Sequence, residues 1–156
     1  MKFSFLSVRR HMLAAVAFIS VAVDAYAERV NVGNLWFETD PVTGTARVVS
    51  PQEGDLTFDM VEKVYSSDNV IVPSSIEHDG IIFTVTSVGP FAFSKSEVES
   101  VSLPPSIESI EPSAFRGAGK IKEIVIPAGA VLNEGAFRNA NNLTKVVLPE
   151  NIRDIP

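Results

Sequence analysis

One short segment of the chain has residue types that suit acid–base chemistry. His78 lies in the sequence Glu77-His78-Asp79-Gly80, so an imidazole has carboxylates on both sides. A histidine of this kind catalyses a reaction when a nucleophile and an orienting group share its cleft, and no motif for either accompanies it. Asp-Gly between two apolar runs is typical of a hairpin turn. We therefore predict a solvated turn, no catalytic residue and no enzymatic activity.

The sequence also lacks the usual motifs for metals and cofactors. It contains no cysteine, which excludes disulfides, thiol catalysis, cysteine-based zinc sites and a lipid anchor on cysteine. A glycine-rich phosphate loop and paired histidines at metal-binding spacing are both absent from the sequence. Glu97, Glu99, Glu108 and Glu111 do not have the spacing of an acidic calcium loop. The sequence thus predicts no bound metal and no cofactor.

Residues 1–27 have the organisation of a secretory signal peptide. A basic start is followed by an apolar run of 12 residues, 12–23, and by Ala25-Tyr26-Ala27, which fits a small-x-small cleavage site. The run is shorter than the roughly 20 residues of a membrane-spanning helix. Arg9-Arg10 leaves a twin-arginine signal as the less favoured alternative. We predict cleavage before Glu28, export to the periplasm, the cell surface or the medium, and no membrane insertion afterwards.

The charge of the remaining chain bears on its partners. Without residues 1–27 the sequence has 10 basic and 18 acidic residues, a net charge of −8. Nucleic-acid binding depends on neutralising phosphates with basic side chains, so an acidic chain of this size is a poor candidate for it. Anionic membrane surfaces repel such a chain as well. The charge therefore disfavours nucleic acids and anionic membranes as partners.

Two markers repeat along the second half of the chain at nearly one period. An apolar-x-x-apolar-x-apolar-Pro pattern ends at three prolines, spaced 23 and then 22 residues apart: Pro104, Pro127 and Pro149. An Ala-Phe pair recurs every 22 residues and places three rings: Phe93, Phe115 and Phe137. Such a period is the signature of a solenoid built from stacked units. We predict a mainly β solenoid of roughly three to four 22–23-residue units over residues 70–156.

The repeat pattern also predicts which side chains face inward. Apolar residues at equivalent positions of each unit should fill the gap to the next coil: Val98, Val101, Leu103, Ile107, Ile110 and Phe115. In the last coil, Leu148, Ile152 and Ile155 have no following unit in the sequence to cover them. Exposed apolar edges invite pairing. We therefore expect self-association through the last repeat.

Residues 28–69 precede the regular array and contain a hairpin signal. Residues 35–39 and 46–50 are rich in aromatic and β-branched types, and Asp40-Pro41-Val42-Thr43-Gly44 has turn chemistry between them. We predict an N-terminal β-hairpin cap that covers the first repeat, with residues 28–34 as a leader and Trp36 packed in the cap. The alternation of Leu56, Phe58 and Met60 favours one further strand.

The repeated segment resembles the BspA-type leucine-rich repeats, a family of bacterial surface and secreted proteins. The resemblance rests on the prolines that end the strands and on Ala114-Phe115 and Ala136-Phe137, and it extends over residues 35–156. It implies a leucine-rich-repeat fold and a role in adhesion or binding of host proteins. The chain departs from the family pattern in three ways. Its repeats are few, Ala118 and Ala140 replace cysteines, and no closing cap precedes Pro156.

The functional surface that the pattern indicates is the outward side of the stacked strands. Alternate strand residues face opposite sides, so an apolar row and a polar row should point outward together. Their members are Ile71, Ser102, Val125 and Val147 in one row, and Asn69, Ser100, Glu123 and Lys145 in the other. We predict a protein-binding or adhesion module that uses these residues. The alternatives are plain β-propensity of the valines, and an accessory subunit that joins another repeat chain through its uncapped C-terminal coil.

Overall fold

The computed structural model describes residues 27–54, 56–62, 65 and 67–150. These residues form eleven strands and no helix, so none of them belongs to a helix long enough to cross a bilayer. The predicted signal peptide and the last-coil residues Ile152 and Ile155 lie outside the described residues. The strands are β1 Glu28–Val32, β2 Leu35–Asp40, β3 Thr45–Val49, β4 Asn69–Ile71, β5 Ser75–His78, β6 Ile81–Val88, β7 Ser100–Ser102, β8 Ser109–Ile110, β9 Glu123–Val125, β10 Val131–Leu132 and β11 Lys145–Val147.

The N-terminal segment is a three-stranded antiparallel meander. Strand β2 pairs with β1 on one side and with β3 on the other. Gly33, with a φ of 65°, begins the two-residue loop between Val32 and Leu35, where a positive φ at the first position matches the twist of the flanking strands. The expectation of a leader over residues 28–34 is therefore wrong. The predicted hairpin gains a third strand because Val30 can bury its side chain against the same core.

The meander joins the repeats along strand β6. Strand β3 pairs parallel with β6, and a register shift between Ala46 and Arg47 bends the junction. The Gly89 N–H donates to the Val48 carbonyl at 2.8 Å, and a Cβ on Gly89 would lie 2.8 Å from that oxygen. Glycine is required here because any side chain would push the two segments apart. The opposite edge of β6 pairs with β5, through a turn in which Asp79 and Gly80 both have positive φ.

The repeats stack through two groups of short parallel strands. On one side, β8 pairs with β6 and β10 with β8, so the seven-stranded sheet of the meander continues into the repeats. On the other side, β4 pairs with β7 and β9 with β11, as two separate two-stranded sheets. A turn carrying the Ala-Phe pair connects the end of each coil to the next. The mainly β class predicted from sequence is confirmed.

The core lies between these strand groups and the turns. Three phenylalanine rings stack through the coils, with centroids 5.0 Å apart for Phe93 and Phe115 and 5.1 Å for Phe115 and Phe137. Five of the six residues predicted to face inward are buried: Val98, Val101, Ile107, Ile110 and Phe115. Leu103, the sixth, is partly buried and packs against the same core. The apolar spacing therefore located the core side of each coil.

The segment between the meander and β4 differs from its prediction. The N–H groups of Met60 and Val61 both donate to the Thr57 carbonyl, which makes a turn where the alternation favoured a strand. Val61 is buried, and Phe58 lies under the cations of Arg116 and Lys95, at 3.9 and 4.6 Å from its ring centroid. Long-range contacts of single side chains, which alternation cannot reveal, hold this segment in place.

Candidate functional site

The predicted binding residues lie on one surface, which we call the strand face: the outward side of β4, β7, β9 and β11. The hydrogen-bonded register aligns Ile71 with Ser102 and, separately, Val125 with Val147. Inward residues of the same strands form a buried row of Val70, Val101 and Ile124. Because neighbouring residues of a strand face opposite sides, burial of this row directs the predicted residues outward.

The polar row of the strand face is paired side chain to side chain. Ser100 Oγ donates to Asn69 Oδ1 at 2.5 Å, and Lys145 Nζ lies 2.8 Å from Glu123 Oε1. Both pairs are exposed, so each contributes little to the free energy of folding. Their effect on the surface is to satisfy polar groups locally and to leave the row nearly neutral in charge.

The apolar row is the unusual part of the strand face. Ile71 and Val125 are 76% and 56% exposed, while Ser102 between them is small and Val147 is half-buried. Val146 occupies the inward position equivalent to Ile124, yet it is 37% exposed. Large apolar side chains thus reach solvent both on the strand face and at its last strand.

The strand face has a seam between β7 and β9. These strands are neighbours, but no ladder of backbone hydrogen bonds joins them among the described residues. A cleft of about 530 Å³ lies along the seam, lined by residues 100–103 and 123–125. Val101 follows Phe93 by eight residues, whereas Ile124 follows Phe115 by nine, and the two rings stay stacked despite this difference in spacing.

A second candidate site surrounds His78. The imidazole belongs to β5 and is half-buried, so the expected solvated turn is limited to Asp79 and Gly80. His78 Nε2 lies 3.4 Å from Glu28 Oε2 and 3.9 Å from Asp79 Oδ2. Within the part of the chain that the structure describes, this is the one group of three histidine, cysteine or acidic side chains close enough to hold a metal ion. Sequence reasoning missed Glu28, because nothing in the local pattern connects it to a turn fifty residues later.

A third polar region lies on the meander. The Arg47 guanidinium is 2.5 Å from Glu38 Oε2 and 3.5 Å from Glu111 Oε2, and Ser87 Oγ donates to the other Glu111 oxygen. A cavity of about 580 Å³ beside it is lined by Arg29, the segment that follows β3, and Phe91. Arg47 of the meander pairs with Glu111 of the repeats, so this network connects the two parts of the chain.

Comparison with known proteins relates the chain to a family of repeats. Residues 68–156 match the family described as BspA type leucine rich repeat region, in 6 copies. The copies divide this segment more finely than the three to four units expected from the proline and phenylalanine spacing. No curated protein matches the chain.

Two solved structures share the architecture. A leucine-rich repeat protein from Bacteroides capillosus ATCC 29799 is 23% identical, with a TM-score of 0.52 over 78% of this chain and 98% of that one. The pneumococcal vaccine antigen PcpA is 18% identical, with a TM-score of 0.54 over 80% of this chain and 39% of its own. At these identities the likeness shows a common fold.

Proposed function

Because the chain belongs to the BspA-type leucine-rich repeat family, we propose that it is an exported bacterial module that binds another protein through its strand face. The partner class is a host extracellular or cell-surface protein. Contact is made by the row of Ile71, Ser102, Val125 and Val147, with Ser100, Glu123 and Lys145 beside it. No cofactor and no catalytic step take part in this function.

The observation that supports the proposal is the exposure of Val125, which lines the cleft, and of Ile71, which lies on the strand paired with β7. Interfaces gain most of their binding energy from a few apolar or aromatic anchors at the centre of a patch. The paired side chains of the polar row resemble the polar rim that surrounds such a centre. A flat repeat surface with two anchors and a cleft fits a protein partner better than a small molecule.

The experiment compares two identical substitutions on different faces. Val125→Glu places a charge at the centre of the strand face, and burying an unpaired charge is costly. Val131→Glu is the matched control, since Val131 is 58% exposed on β10 and lies off the strand face. We expect Val125→Glu to weaken binding to purified host matrix and serum proteins at least tenfold in surface plasmon resonance, with unchanged circular dichroism. Equal binding by both variants would overturn the assignment.

Export and capping complete the proposal. The first strand begins at Glu28, the residue that follows the predicted cleavage site. We propose that the mature protein begins there and that the meander caps a solenoid of three to four units. N-terminal sequencing of protein from the periplasm or medium should read Glu28 first. Recovery in the cytoplasm alone, with Met1 intact, would overturn export.

A second candidate function uses the last described coil. Val146 is exposed at an inward position, and Phe137, Leu143 and Leu148 are only partly buried beside it. An apolar strand edge of this kind favours pairing with another chain. In this alternative the protein is an accessory subunit that joins another repeat chain, or a second copy of itself, through β11.

A further inference from the structure

The contact between Glu28 and His78 joins strands that are distant in the sheet. Strand β1 is separated from β5 by β2, β3 and β6. In a flat sheet, four strand spacings would place β1 and β5 roughly 19 Å apart. The side-chain atoms instead lie 3.4 Å apart. The sheet therefore curls until β1 and β5 approach each other. Glu28, His78 and Asp79 lie together at the point of closest approach.

Strand parity directs two of these side chains to the same place. Glu28 has the parity of the buried Val30 in β1, and His78 has the parity of the buried Ile76 in β5. Both side chains thus project from the inner surface of the curled sheet, at its end. Asp79 adds a third group from the turn, where its Oδ2 lies 3.9 Å from His78 Nε2.

The chemistry of the three groups matches a divalent first-row metal. Zinc binds imidazole nitrogen at about 2.0–2.1 Å and carboxylate oxygen at about 2.0–2.2 Å, usually with tetrahedral geometry. Ligand atoms around such an ion are roughly 3.4 Å apart, a value that follows from those bond lengths. The observed separations from His78 Nε2 are 3.4 and 3.9 Å, and all three ligand atoms lie within 4.8 Å of one another.

The second observation concerns the hydrogen bonding of the imidazole. His78 Nε2 is a buried atom without a hydrogen-bond partner among the described residues, although two carboxylates are close by. Buried polar nitrogens are usually satisfied by hydrogen bonds, by water or by a metal. An ion between the three groups would satisfy this nitrogen and both carboxylates at once.

We propose that Glu28, His78 and Asp79 bind one Zn²⁺ ion, which clasps the N-terminal meander to the β5–β6 hairpin. Three protein ligands leave a fourth position for water. The ion links strands that are fifty residues apart in the sequence. It therefore stabilises the curled sheet, in which β1 and β5 lie close together. The clasp lies off the strand face and does not depend on the proposed protein binding.

The test titrates Zn²⁺ into the exported chain, prepared without an affinity tag, by calorimetry and by thermal unfolding. A ligand that binds only the folded form raises the unfolding midpoint. We expect one ion per chain and a midpoint that rises by several degrees with free Zn²⁺. Mg²⁺, which prefers oxygen ligands and keeps its waters, should produce neither effect. No saturable binding of Zn²⁺ would overturn the site.

Variants separate this site from adventitious binding. His78→Ala and Glu28→Gln should each weaken Zn²⁺ binding at least tenfold and abolish the midpoint rise. Glu77→Gln is the matched control, because Glu77 precedes His78 on the opposite side of β5 and should leave both unchanged. His11, the other histidine, precedes Glu28 in the sequence, so imidazole proton resonances of the exported chain report His78 alone. Zinc that leaves these resonances unmoved, or that binds His78→Ala as tightly as the wild type, would exclude the proposal.

Discussion

At the scale of single residues, the core depends on a few aromatic side chains. Phe115 is fully buried, with Phe93 on one side of its ring and Phe137 on the other. Tyr65 packs next to Phe93 with its ring tilted by 45°, and the two ring centroids are 5.3 Å apart. Its hydroxyl donates to the Val49 carbonyl and accepts from the Trp36 N–H. One tyrosine thus joins the repeat core to the meander.

Phe115→Ala should remove the middle ring of the stack. Replacing a fully buried phenylalanine by alanine costs about 3–5 kcal/mol, a large part of the 5–15 kcal/mol that holds a typical domain. Phe137→Ala is the control, and we expect a smaller loss because Phe137 is only partly buried. Urea unfolding measures both. Equal midpoints for wild type and Phe115→Ala would mean that the stack does not exist in solution.

Tyr65 provides a test by alkaline titration. Burial raises the pKa of the Tyr65 phenol above its ordinary value, against the smaller opposing effects of the Trp36 N–H and Arg29. Below pH 10, the ordinary tyrosine value, the phenol is neutral whether folded or unfolded, so its contribution to stability is fully present. As pH rises from 10 toward the folded pKa, the unfolded chain ionises first and stability falls.

The measurement is phenolate absorbance. Tyr26 is the only other tyrosine and precedes Glu28, so the exported chain reports Tyr65 alone. The midpoint should lie above 10 in the folded protein and return to about 10 in denaturant. A folded chain that titrates at the denatured midpoint would contradict the burial of Tyr65.

At the scale of elements, the Ala-Phe turn is the unit that repeats most faithfully. Each turn has one residue with positive φ two positions before its phenylalanine: Phe91, Ser113 and Gly135. A second positive-φ residue follows two positions after the ring: Lys95, Gly117 and Asn139. Backbone bonds recur with them, as when Ser94, Arg116 and Arg138 each donate to the first positive-φ residue of their turn. Two left-handed residues thus reverse the chain around each ring.

Substitution of glycines tests this geometry. Gly117 has a φ of 71°, and a Cβ there would lie 3.3 Å from the Phe58 ring. Gly117→Ala should therefore destabilise the fold by about 1–2 kcal/mol, the usual cost of the left-handed conformation for a residue with a Cβ. The control is Gly119→Ala, since Gly119 lacks a positive φ and its nearest such contact is 3.9 Å away. If urea unfolding gives both variants the same stability, the left-handed turn is not the native conformation.

The elements also show what a single sequence can and cannot predict. Val101, Ile110 and Phe115 were placed correctly because burial in a repeat follows from spacing, which is local. The strand at Glu28–Val32 was missed because its formation depends on pairing with β2 and on burial of Val30, neither of which the local sequence reveals. The same limit applies to the site at His78, because Glu28 reaches the imidazole only through the curl of the sheet. The strand predicted from the alternation within residues 56–62 is not formed. No neighbouring strand among the described residues pairs with this segment.

At the scale of the whole molecule, the two ends of the described chain are unlike. Phe37 and Val48 of the meander are buried in the same core as the repeat residues, while Val146 of the last described strand is exposed. Strand β11 pairs with β9 along one edge, and its other edge has no strand partner among the described residues. Unpaired apolar strand edges favour pairing with another chain, and we propose that this edge of β11 associates in that way.

Association through that edge predicts a concentration-dependent mass. Light scattering should show dimers or larger species at high concentration, and Val146→Lys should shift them toward monomer, because it places a charge in the contact. The control is Val42→Lys, since Val42 is exposed in the turn between β2 and β3, at the other end of the molecule. A strict monomer for the wild type at high concentration would exclude both self-association and the accessory-subunit alternative by self-pairing.

The seam between β7 and β9 has a mechanical consequence. If the meander and the last coil are pulled apart, tension passes from coil to coil through backbone ladders and stacked side chains. On the strand face that path is interrupted at the seam, while β8, β10 and the phenylalanine rings still connect the same coils. The coils would therefore separate first along the seam and pivot about the opposite ladder. A partner bound across the cleft would bear part of the tension. The strength of its contacts with Ile71 and Val125 would then limit how far the solenoid extends.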